Sequence, residues 1–487
     1  MTLPSHRRHG LKGAGLLLLA VLSGCVLTEP LDTGDGRSFT NNWMKAGDPR
    51  AEIGKREHPL VLAKYGGEFR DPKAESLIAG VVGRLVAVSE DKTQLYRITI
   101  LNSPKVNAFA LPGGYLYVTR GLLSLANDSA ALAGVIAHEM AHVSSNHAIL
   151  RSEKESSIKV GSEVVSRVLG NNVAGRVAEA ANQLRLSEFS KDQELQADAV
   201  GIKMLGSAGF DAHGSVRFLE TMQAYQALMS QADRRFGDFS FLSSHPATPQ
   251  RIEQARRHAR AFGAPGTGES GREAYLKSID GLLYGDSAEE GFVRNNTFSH
   301  LGLGVTFSAP PDRRMENQAT AVVITGPGNL ATRFDAAVLP RGQNLAGYLK
   351  SGWVKGLDEA SITESTVGGL SAARAEADGA NWRFVIRLLQ IDRQVYRFIT
   401  AGPAGSQSVE AESNAIAGSF RRMTDAEKEK LKPLKIRIVT VGAGDTLASL
   451  AAQMQGTPSP LRTFQVLNGL SAGEIPQPGS RVKVVTD

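Results

Sequence analysis

The feature that most constrains this chain is a short apolar segment, residues 134–146 (GVIAHEMAHVSSN), which contains the pattern H-E-x-x-H. Four residues along an α-helix turn by about 400° and rise by about 6 Å, so His138 and His142 share one face. Two imidazoles in that arrangement suit one Zn²⁺ ion, and Glu139, about 100° away, can take a proton from water beside the metal. The pattern also occurs by chance in unrelated helices. Here, three ionisable residues in so apolar a helix are costly without a partner, which favours a metal site.

A tetrahedral catalytic zinc site needs a third protein ligand. The pattern H-E-x-x-H-x-x-G-x-x-H does not supply it, because serine and alanine stand where that pattern has glycine and histidine. His147 lies one residue out of register, and we expect it to have a structural role. Glu194 and Asp198 lie at positions i and i+4 of a predicted helix over residues 188–205. Glu194 could bind the metal while Asp198 accepts from the ring N–H of a ligand histidine, or the pair could be a solvated helix face.

The segments on either side of the motif helix differ in character. Residues 96–101 (YRITIL) alternate as a strand does, and residues 106–118 hold two apolar runs joined by Pro-Gly-Gly, which predicts a hairpin. Residues 150–187 are amphipathic and rich in small residues. We expect this insertion to cover the cleft as a lid, to touch a membrane, or to supply two helices of the domain core.

The chain begins with a leader. A positively charged segment is followed by AGLLLLAVL, an apolar run too short for a permanent membrane span. The last residue of this run begins Leu22-Ser23-Gly24, which precedes Cys25. This end resembles the bacterial lipobox. The resemblance implies that residues 1–24 are a signal peptide and that Cys25 carries a lipid on the periplasmic side. Val26 after the cysteine resembles lipoproteins sent to the outer membrane. The alternative is an ordinary signal peptide with an incidental thiol.

Charge and cysteine content exclude two classes of protein. Three basic residues of the leader account for half of the formal net charge of +6, and the remainder is too small to predict a nucleic-acid partner. Cys25 is the only cysteine, so an internal disulfide framework is excluded. An exported domain of this chain must be held by its core and its metal.

Several motifs occur together in a specific order. The H-E-x-x-H is followed about fifty residues later by E-x-x-A-D-x-x-G and then by S-H-P-x-x-x-x-R-I, and it is preceded by N-A-F-x-L-P-G-G. This set resembles the zinc metallopeptidase family of HtpX, the CAAX prenyl endopeptidases and the periplasmic proteases BepA and LoiP. The resemblance covers roughly residues 50–262. It implies a gluzincin-type fold with one Zn²⁺ per chain, held by His138, His142 and Glu194.

The resemblance also assigns roles to other residues. It implies Glu139 as the general base and Asp198 as the partner of a ligand histidine. It implies that Asn107-Ala108-Phe109 form an edge strand that pairs with an extended substrate. It also places His245 and Arg251 near the metal and implies a catalytic role for both. His245 could stabilise the oxyanion or occupy the open metal position as a latch.

The last part of the chain has motifs of its own. Gly-Asp-Thr-Leu (444–447), Leu-Asn-Gly-Leu (467–470) and Pro-Gly (478–479) stand in the order of a β-α-α-β unit. This unit resembles a LysM module, which implies binding to the N-acetylglucosamine backbone of peptidoglycan. Such modules also serve as docking sites for proteins, and this alternative stays open.

The sequence therefore predicts an α+β protein. It comprises a mainly helical metallopeptidase domain with a small edge-strand sheet, an α+β domain of unknown role and a βααβ LysM-like module. The predicted order is a signal peptide (1–24), a tether (25–50), the metallopeptidase domain (51–263), a linker (264–295), the α+β domain (296–422) and the LysM-like module (436–487).

The predicted function is that of a lipid-anchored zinc endopeptidase of the bacterial envelope, which cleaves misfolded or unassembled envelope proteins. The alternative is a peptidoglycan-associated scaffold or chaperone-like protein whose zinc site is latched.

Overall fold

The computed structural model describes most of the chain after the predicted tether. The described residues are 49–145, 147, 189–231, 241–379, 381–457 and 459–487. The predicted signal peptide, Cys25, all but the end of the tether, and the insertion at 150–187 lie outside them.

The first region is mainly helical and contains one small sheet. Its helices are α1 (Pro49–Lys64), α2 (Pro72–Val88), α3 (Arg120–Leu125), α4 (Ser129–Ser144), α5 (Lys191–Ser207), α6 (Gly214–Gln231), α7 (Phe241–Ser244), α8 (Pro249–Arg260) and α9 (Arg272–Ile279). Its strands are β1 (Arg97–Leu101), β2 (Ala108–Leu111) and β3 (Tyr115–Thr119), in the order β1-β3-β2. β1 is parallel and β2 antiparallel to β3. The predicted hairpin is present, and its turn places Gly113 and Gly114 at φ of 87° and 84°, which glycine adopts without strain.

The helices that carry the predicted site each begin at a side-chain cap. Asp128 accepts from the N–H of Ala131 at 2.7 Å at the start of α4. Ser190 forms a capping box at the start of α5. Thr248 caps α8, whose first residue is Pro249. Such caps satisfy backbone donors that have no partner within the helix, so local sequence sets where each of these helices begins.

α4 lies in the centre of this region, and Ser129–His142 are buried along their whole length. It packs against α5 and α6. A Cβ atom at Gly201 of α5 would lie 3.0 Å from the backbone nitrogen of His138. Glycine at this position therefore allows α5 to approach α4 closely enough for their side chains to share one metal.

The second region is an antiparallel α+β structure, as predicted. Its elements are β4 (Leu283–Tyr284), β5 (Phe292–Arg294), β6 (Thr297–His300), β7 (Val305–Ser308), β8 (Arg314–Gln318), β9 (Ala321–Gly326), β10 (Leu330–Val338), α10 (Leu345–Leu349), β11 (Leu357–Val367), β12 (Leu370–Gly379), β13 (Trp382–Ile391), β14 (Gln394–Pro403), α11 (Ser408–Gly418), β15 (Arg421–Arg422) and α12 (Asp425–Lys430). A seven-stranded sheet has the order β11-β12-β13-β14-β10-β9-β8, and a four-stranded sheet has the order β15-β7-β6-β5.

The last module has the predicted β-α-α-β order. Its elements are β16 (Leu434–Thr440), α13 (Leu447–Ala451), α14 (Pro460–Leu467) and β17 (Arg481–Thr486). β16 pairs with β17 and also with β4, which lies in the segment predicted as a linker. That segment is structured, because it also contains α9 and β5.

The last module shares a hydrophobic core with the first region. Ile436, Phe464 and Val482 belong to the same buried cluster as Ile136 of α4. The buried Lys483 Nζ donates to the carbonyl oxygens of Ser124 and Ala126, each at 2.8 Å. These carbonyls lie at the end of α3, just before the cap of α4. The module is therefore packed against the chain that leads into the metal-binding helix.

Within the described residues, we find no helix that combines the length and apolar character required to cross a membrane.

Candidate metal centre

Three separate parts of the chain bring four potential metal ligands to one point. His138 and His142 come from α4, Glu194 from the first turn of α5, and His245 from the residue after α7. One ligand atom of each lies within 4.8 Å of the others, and all four residues are buried. The Nε2 atoms of His138 and His142 are 3.0 Å apart. The Glu194 carboxylate reaches both, at 3.3 Å from His142 Nε2 and 3.5 Å from His138 Nε2.

These residues fit a zinc ion. Imidazole nitrogens and a carboxylate oxygen are the ligands of catalytic zinc sites. Here their ligand atoms converge at distances that an isolated helix face would not produce. The alternative that Glu194 and Asp198 form a solvated face is wrong, since their exposed fractions are 2% and 6%.

His245 lies within the ligand set. Its Nδ1 is 2.8 Å from Glu194 Oε1 and 3.2 Å from His138 Nε2. Its ring stacks on Phe241, with the ring centres 4.6 Å apart. The predicted position of His245 near the metal agrees with this geometry, and its role as latch or oxyanion partner stays a prediction.

Glu139 lies beside the four ligands and does not belong to their set. It is 2% exposed, and its Oε1 has no hydrogen-bond partner among the described residues. The imidazole of His245 lies nearby, with its Nε2 3.5 Å from Oε1. Burial raises the pKa of Glu139. A buried carboxylate with an unused oxygen and a raised pKa is suited to receive a proton.

Asp198 lies on the side of His138 away from the ligand set, and Arg251 contacts both Asp198 and Glu194. Asp198 Oδ1 is 3.0 Å from His138 Nδ1. Arg251 donates through Nε and Nη2 to the two Asp198 oxygens, each at 2.8 Å, and its Nη1 lies 2.7 Å from Glu194 Oε2. Arg251 is 3% exposed. The structure therefore places Arg251 beneath the site, where it neutralises two carboxylates, and its predicted catalytic role stays a prediction.

The charges of these groups depend on one another. Burial acts to lower the pKa of His138, but Asp198 and Glu194 outweigh it and raise the pKa to about 9. Burial lowers the pKa of His142 to about 2, against the contact with Glu194. Burial acts to raise the pKa of Glu194, yet His245, His138 and His142 hold it well below its usual range. Glu194 is thus an anion, as a metal ligand must be.

His147 lies next to His142, and Gln196 lies next to His147. From sequence, His147 was assigned only a structural role and Gln196 was missed. His147 Nδ1 lies 2.9 Å from His142 Nδ1, and His147 Nε2 lies 3.2 Å from Gln196 Oε1. The His147 position, five residues after His142, was visible in the sequence. Its partner on α5 was not, because the packing of α5 against α4 brings the two together.

The predicted substrate strand lies next to α4. Ala108 and Phe109 are in β2, and Asn107 directly precedes it. Among the described strands, β2 pairs with β3 alone. Thr119 N–H donates to Asn107 O at 3.0 Å, so Asn107 faces β3. By the alternation of an antiparallel pair, the backbone groups of Ala108 and Ala110 point to the free edge.

Comparisons with known proteins match this part of the chain. A family model described as peptidase family M48 matches residues 70–259. The mitochondrial metalloendopeptidase OMA1 of Schizosaccharomyces pombe is 29% identical over 198 residues, which are 40% of this chain and 56% of that protein. The β-barrel assembly-enhancing protease of Yersinia pestis is 24% identical over 415 residues, 77% of this chain and 82% of that protein.

The protein of that name from Escherichia coli is 26% identical over 219 residues, 43% of either chain. The chain thus spans about half of the length of most of these relatives. The matched residues contain the H-E-x-x-H helix, Glu194 and His245. The similarity to peptidase family M48 therefore lies in residues 70–259, the part of the chain that holds the candidate metal centre.

Proposed function

We propose that this chain is a zinc-dependent endopeptidase of the bacterial cell envelope. The observation that carries the proposal is the buried set His138, His142 and Glu194, beside which one carboxylate oxygen of Glu139 has no hydrogen-bond partner among the described residues. The proposal is supported by relatives named as a metalloendopeptidase and as β-barrel assembly-enhancing proteases.

The residues of the site divide the chemistry among them. A bound Zn²⁺ supplies a Lewis acid that polarises a peptide carbonyl and lowers the pKa of a water molecule to about 7. Glu139 takes the proton from that water and returns it to the leaving amine. Burial raises the pKa of Glu139, which makes its carboxylate a stronger base toward that water. Asp198 orients His138 through the ring nitrogen that does not face the ligand set.

The free edge of β2 supports an endopeptidase acting on extended polypeptides. The backbone N–H and C=O groups of Ala108 and Ala110 that point to the free edge can pair with a substrate strand. β2 itself packs against α4. A substrate held in this way lies along the helix that carries Glu139. Misfolded or unassembled envelope proteins are suitable substrates, because their chains are available in extended form.

The envelope location is part of the proposal. The lipobox-like sequence before Cys25 supports a lipid anchor on the periplasmic side, and Val26 supports the outer membrane. Incorporation of labelled palmitate into the wild-type chain and its loss in Cys25→Ser would test the anchor. The βααβ module at 436–487 supports binding to peptidoglycan, which co-sedimentation of the full chain with purified sacculi would test.

The alternative function is a peptidoglycan-associated scaffold or chaperone-like protein with a latched site. It is favoured by one observation: His245 lies within the ligand set, 2% exposed and in contact with Glu194. In that state His245 would exclude substrate. His245→Ala should then raise the rate of casein cleavage, whereas a role in stabilising the oxyanion predicts that the rate falls.

The decisive experiment compares the wild type with Glu139→Gln. We expect about one zinc per chain in both proteins and at least a 100-fold slower cleavage of casein in the variant, because the proton acceptor is lost. Glu253→Gln changes an exposed glutamate of α8 and is the matched control. Cleavage by Glu139→Gln at the wild-type rate would refute the assignment of the base.

A further inference from the structure

We propose that His147 and Gln196 form a hydrogen-bond relay that fixes the ring of His142 for metal binding. The inference rests on the proposed zinc site. It concerns two residues outside the H-E-x-x-H motif, and it assigns them as positioning residues, because neither reaches the point where the ligand atoms converge.

The distances allow one consistent assignment of protons. His142 presents Nε2 to the ligand set, 3.0 Å from His138 Nε2, so its ring proton resides on Nδ1. That N–H points at His147 Nδ1, 2.9 Å away, which must accept. His147 then carries its proton on Nε2, which donates to Gln196 Oε1 at 3.2 Å. Each ring nitrogen along the relay makes one hydrogen bond, and the side-chain oxygen of Gln196 is the last acceptor.

Burial makes the first contact the stronger one. His147 is 2% exposed and His142 is 4% exposed. Gln196, on the outer side of α5, is exposed. One face of the His142 ring is covered by Phe189, whose ring stacks on it with the centres 3.9 Å apart and the planes inclined by 28°. His142 can therefore turn only if both the contact with His147 and the stack are lost.

The two ligand histidines consequently have different partners. His138 faces the Asp198 carboxylate, which Arg251 holds in place. His142 faces a neutral imidazole. A carboxylate partner makes the ligand ring more basic, while a neutral acceptor fixes the tautomer and direction with less added charge. The buried site already contains three carboxyl groups, those of Glu139, Glu194 and Asp198, and the relay orients a ligand without adding a fourth.

The test uses a pair of substitutions that differ at the δ position. In His147→Asn, the amide oxygen stands near the position of the imidazole Nδ1 and can accept, while in His147→Leu a methyl group stands there. Both remove the contact with Gln196. We expect the zinc dissociation constant of the full chain, measured by competition with a chromophoric chelator, to rise about 10- to 100-fold in His147→Leu. It should stay within about threefold of wild type in His147→Asn, and Gln196→Leu should have a smaller effect than His147→Leu.

The melting temperature of each metal-free protein separates loss of folding from loss of the relay. A His147→Leu variant that is folded and binds zinc as tightly as the wild type would overturn the relay and leave the proposed function intact. Equal weakening in His147→Asn and His147→Leu would also overturn it, because packing and not the acceptor would then matter. A wild type that binds no zinc would overturn the proposed function itself, and the inference with it.

A measurement on the wild type requires no variant. In the zinc-loaded chain with ¹⁵N-labelled histidine, the relay predicts a protonated Nδ1 on His142 and a scalar coupling across the hydrogen bond to His147 Nδ1. A His142 ring whose Nδ1 proton shows no such coupling in a well-resolved spectrum would contradict the proposal.

Discussion

Arg251→Leu should strongly destabilise the metal-free protein. In the wild type, this guanidinium donates two hydrogen bonds of 2.8 Å to Asp198 and lies 2.7 Å from Glu194, with all three residues buried. Removing one partner of a buried ion pair costs about 3–5 kcal/mol, because the remaining charge keeps its desolvation penalty. Leucine fills part of the volume but leaves both carboxylates without this cation.

The effect should depend on pH. Burial acts to raise the pKa of Asp198, but Arg251 and His138 hold it well below its usual range in the wild type. Asp198 therefore contributes stability above the pKa of its unfolded form, and this is lost as the pH falls. Without Arg251, its cation no longer offsets the effect of burial, so the pKa of Asp198 rises. The variant then loses stability as the pH increases, so the difference from wild type is larger at pH 8 than at pH 5.

The assay is thermal unfolding of the full chain in excess chelator. For a domain of about 200 residues, each kcal/mol shifts the melting temperature by about 2–4 °C, so the transition of the peptidase region should fall by about 6–20 °C. Arg256→Leu is the matched control, since Arg256 lies on the same helix and pairs with the partly exposed Glu220. Its melting temperature should stay close to that of the wild type.

The double variant Arg251→Leu with Asp198→Asn provides the internal check. It removes one of the two orphaned charges, so it should melt above Arg251→Leu alone. If Arg251→Leu melted within about 2 °C of the wild type at pH 8, less than a shift of about 1 kcal/mol, the buried ion pairs would not carry the stability assigned to them.

Two other substitutions test the edge strand and a titrating group away from the metal. Ala110→Pro removes an N–H from the free edge of β2 without removing a hydrogen bond to β3. We therefore expect kcat/KM for unfolded casein to fall about 3- to 10-fold while the zinc content stays unchanged. An unchanged kcat/KM would argue against strand addition. Burial, with Asp286 and Glu289 nearby, raises the pKa of Glu290 to about 7. The folded state therefore binds a proton at this group more tightly than the unfolded state. The free energy of unfolding should consequently fall as the pH rises from about 4.5 to about 7. Urea midpoints at pH 5 and 7.5 should show this decline in the wild type and a smaller one in Glu290→Gln; an equal decline in both would assign it to other groups.

Much of the site was predictable because its parts are local. The face shared by His138 and His142 follows from helical periodicity, and the start of α4 follows from the cap at Asp128. Glu194 and Asp198 were predictable as a pair for the same reason. The βααβ order of the last module also follows from its turns and apolar runs. Each of these predictions depends on residues that are near one another in sequence.

The contacts between elements were not predictable in this way. The last module was predicted as a separate domain, with no local signal for the core that Phe464 and Val482 share with α4 or for the contact of Lys483 with the end of α3. Nothing in the spacing of Lys483 indicates that its ammonium group meets carbonyls some 350 residues earlier in the chain. Such contacts depend on how whole faces pack, which short-range patterns do not encode.

By itself, the sequence determined which side chains could bind a metal and which carboxylate could serve as base, because helical spacing fixes their relative directions. Only the tertiary structure decided which groups surround them. The close approach of α5 to α4 brought Glu194 to the two histidines and Gln196 to His147, and the start of α8 placed Arg251 beneath two carboxylates. The physical reason is that periodicity acts within one helix, whereas burial, charge compensation and the choice of a hydrogen-bond partner depend on helices that are distant in the chain.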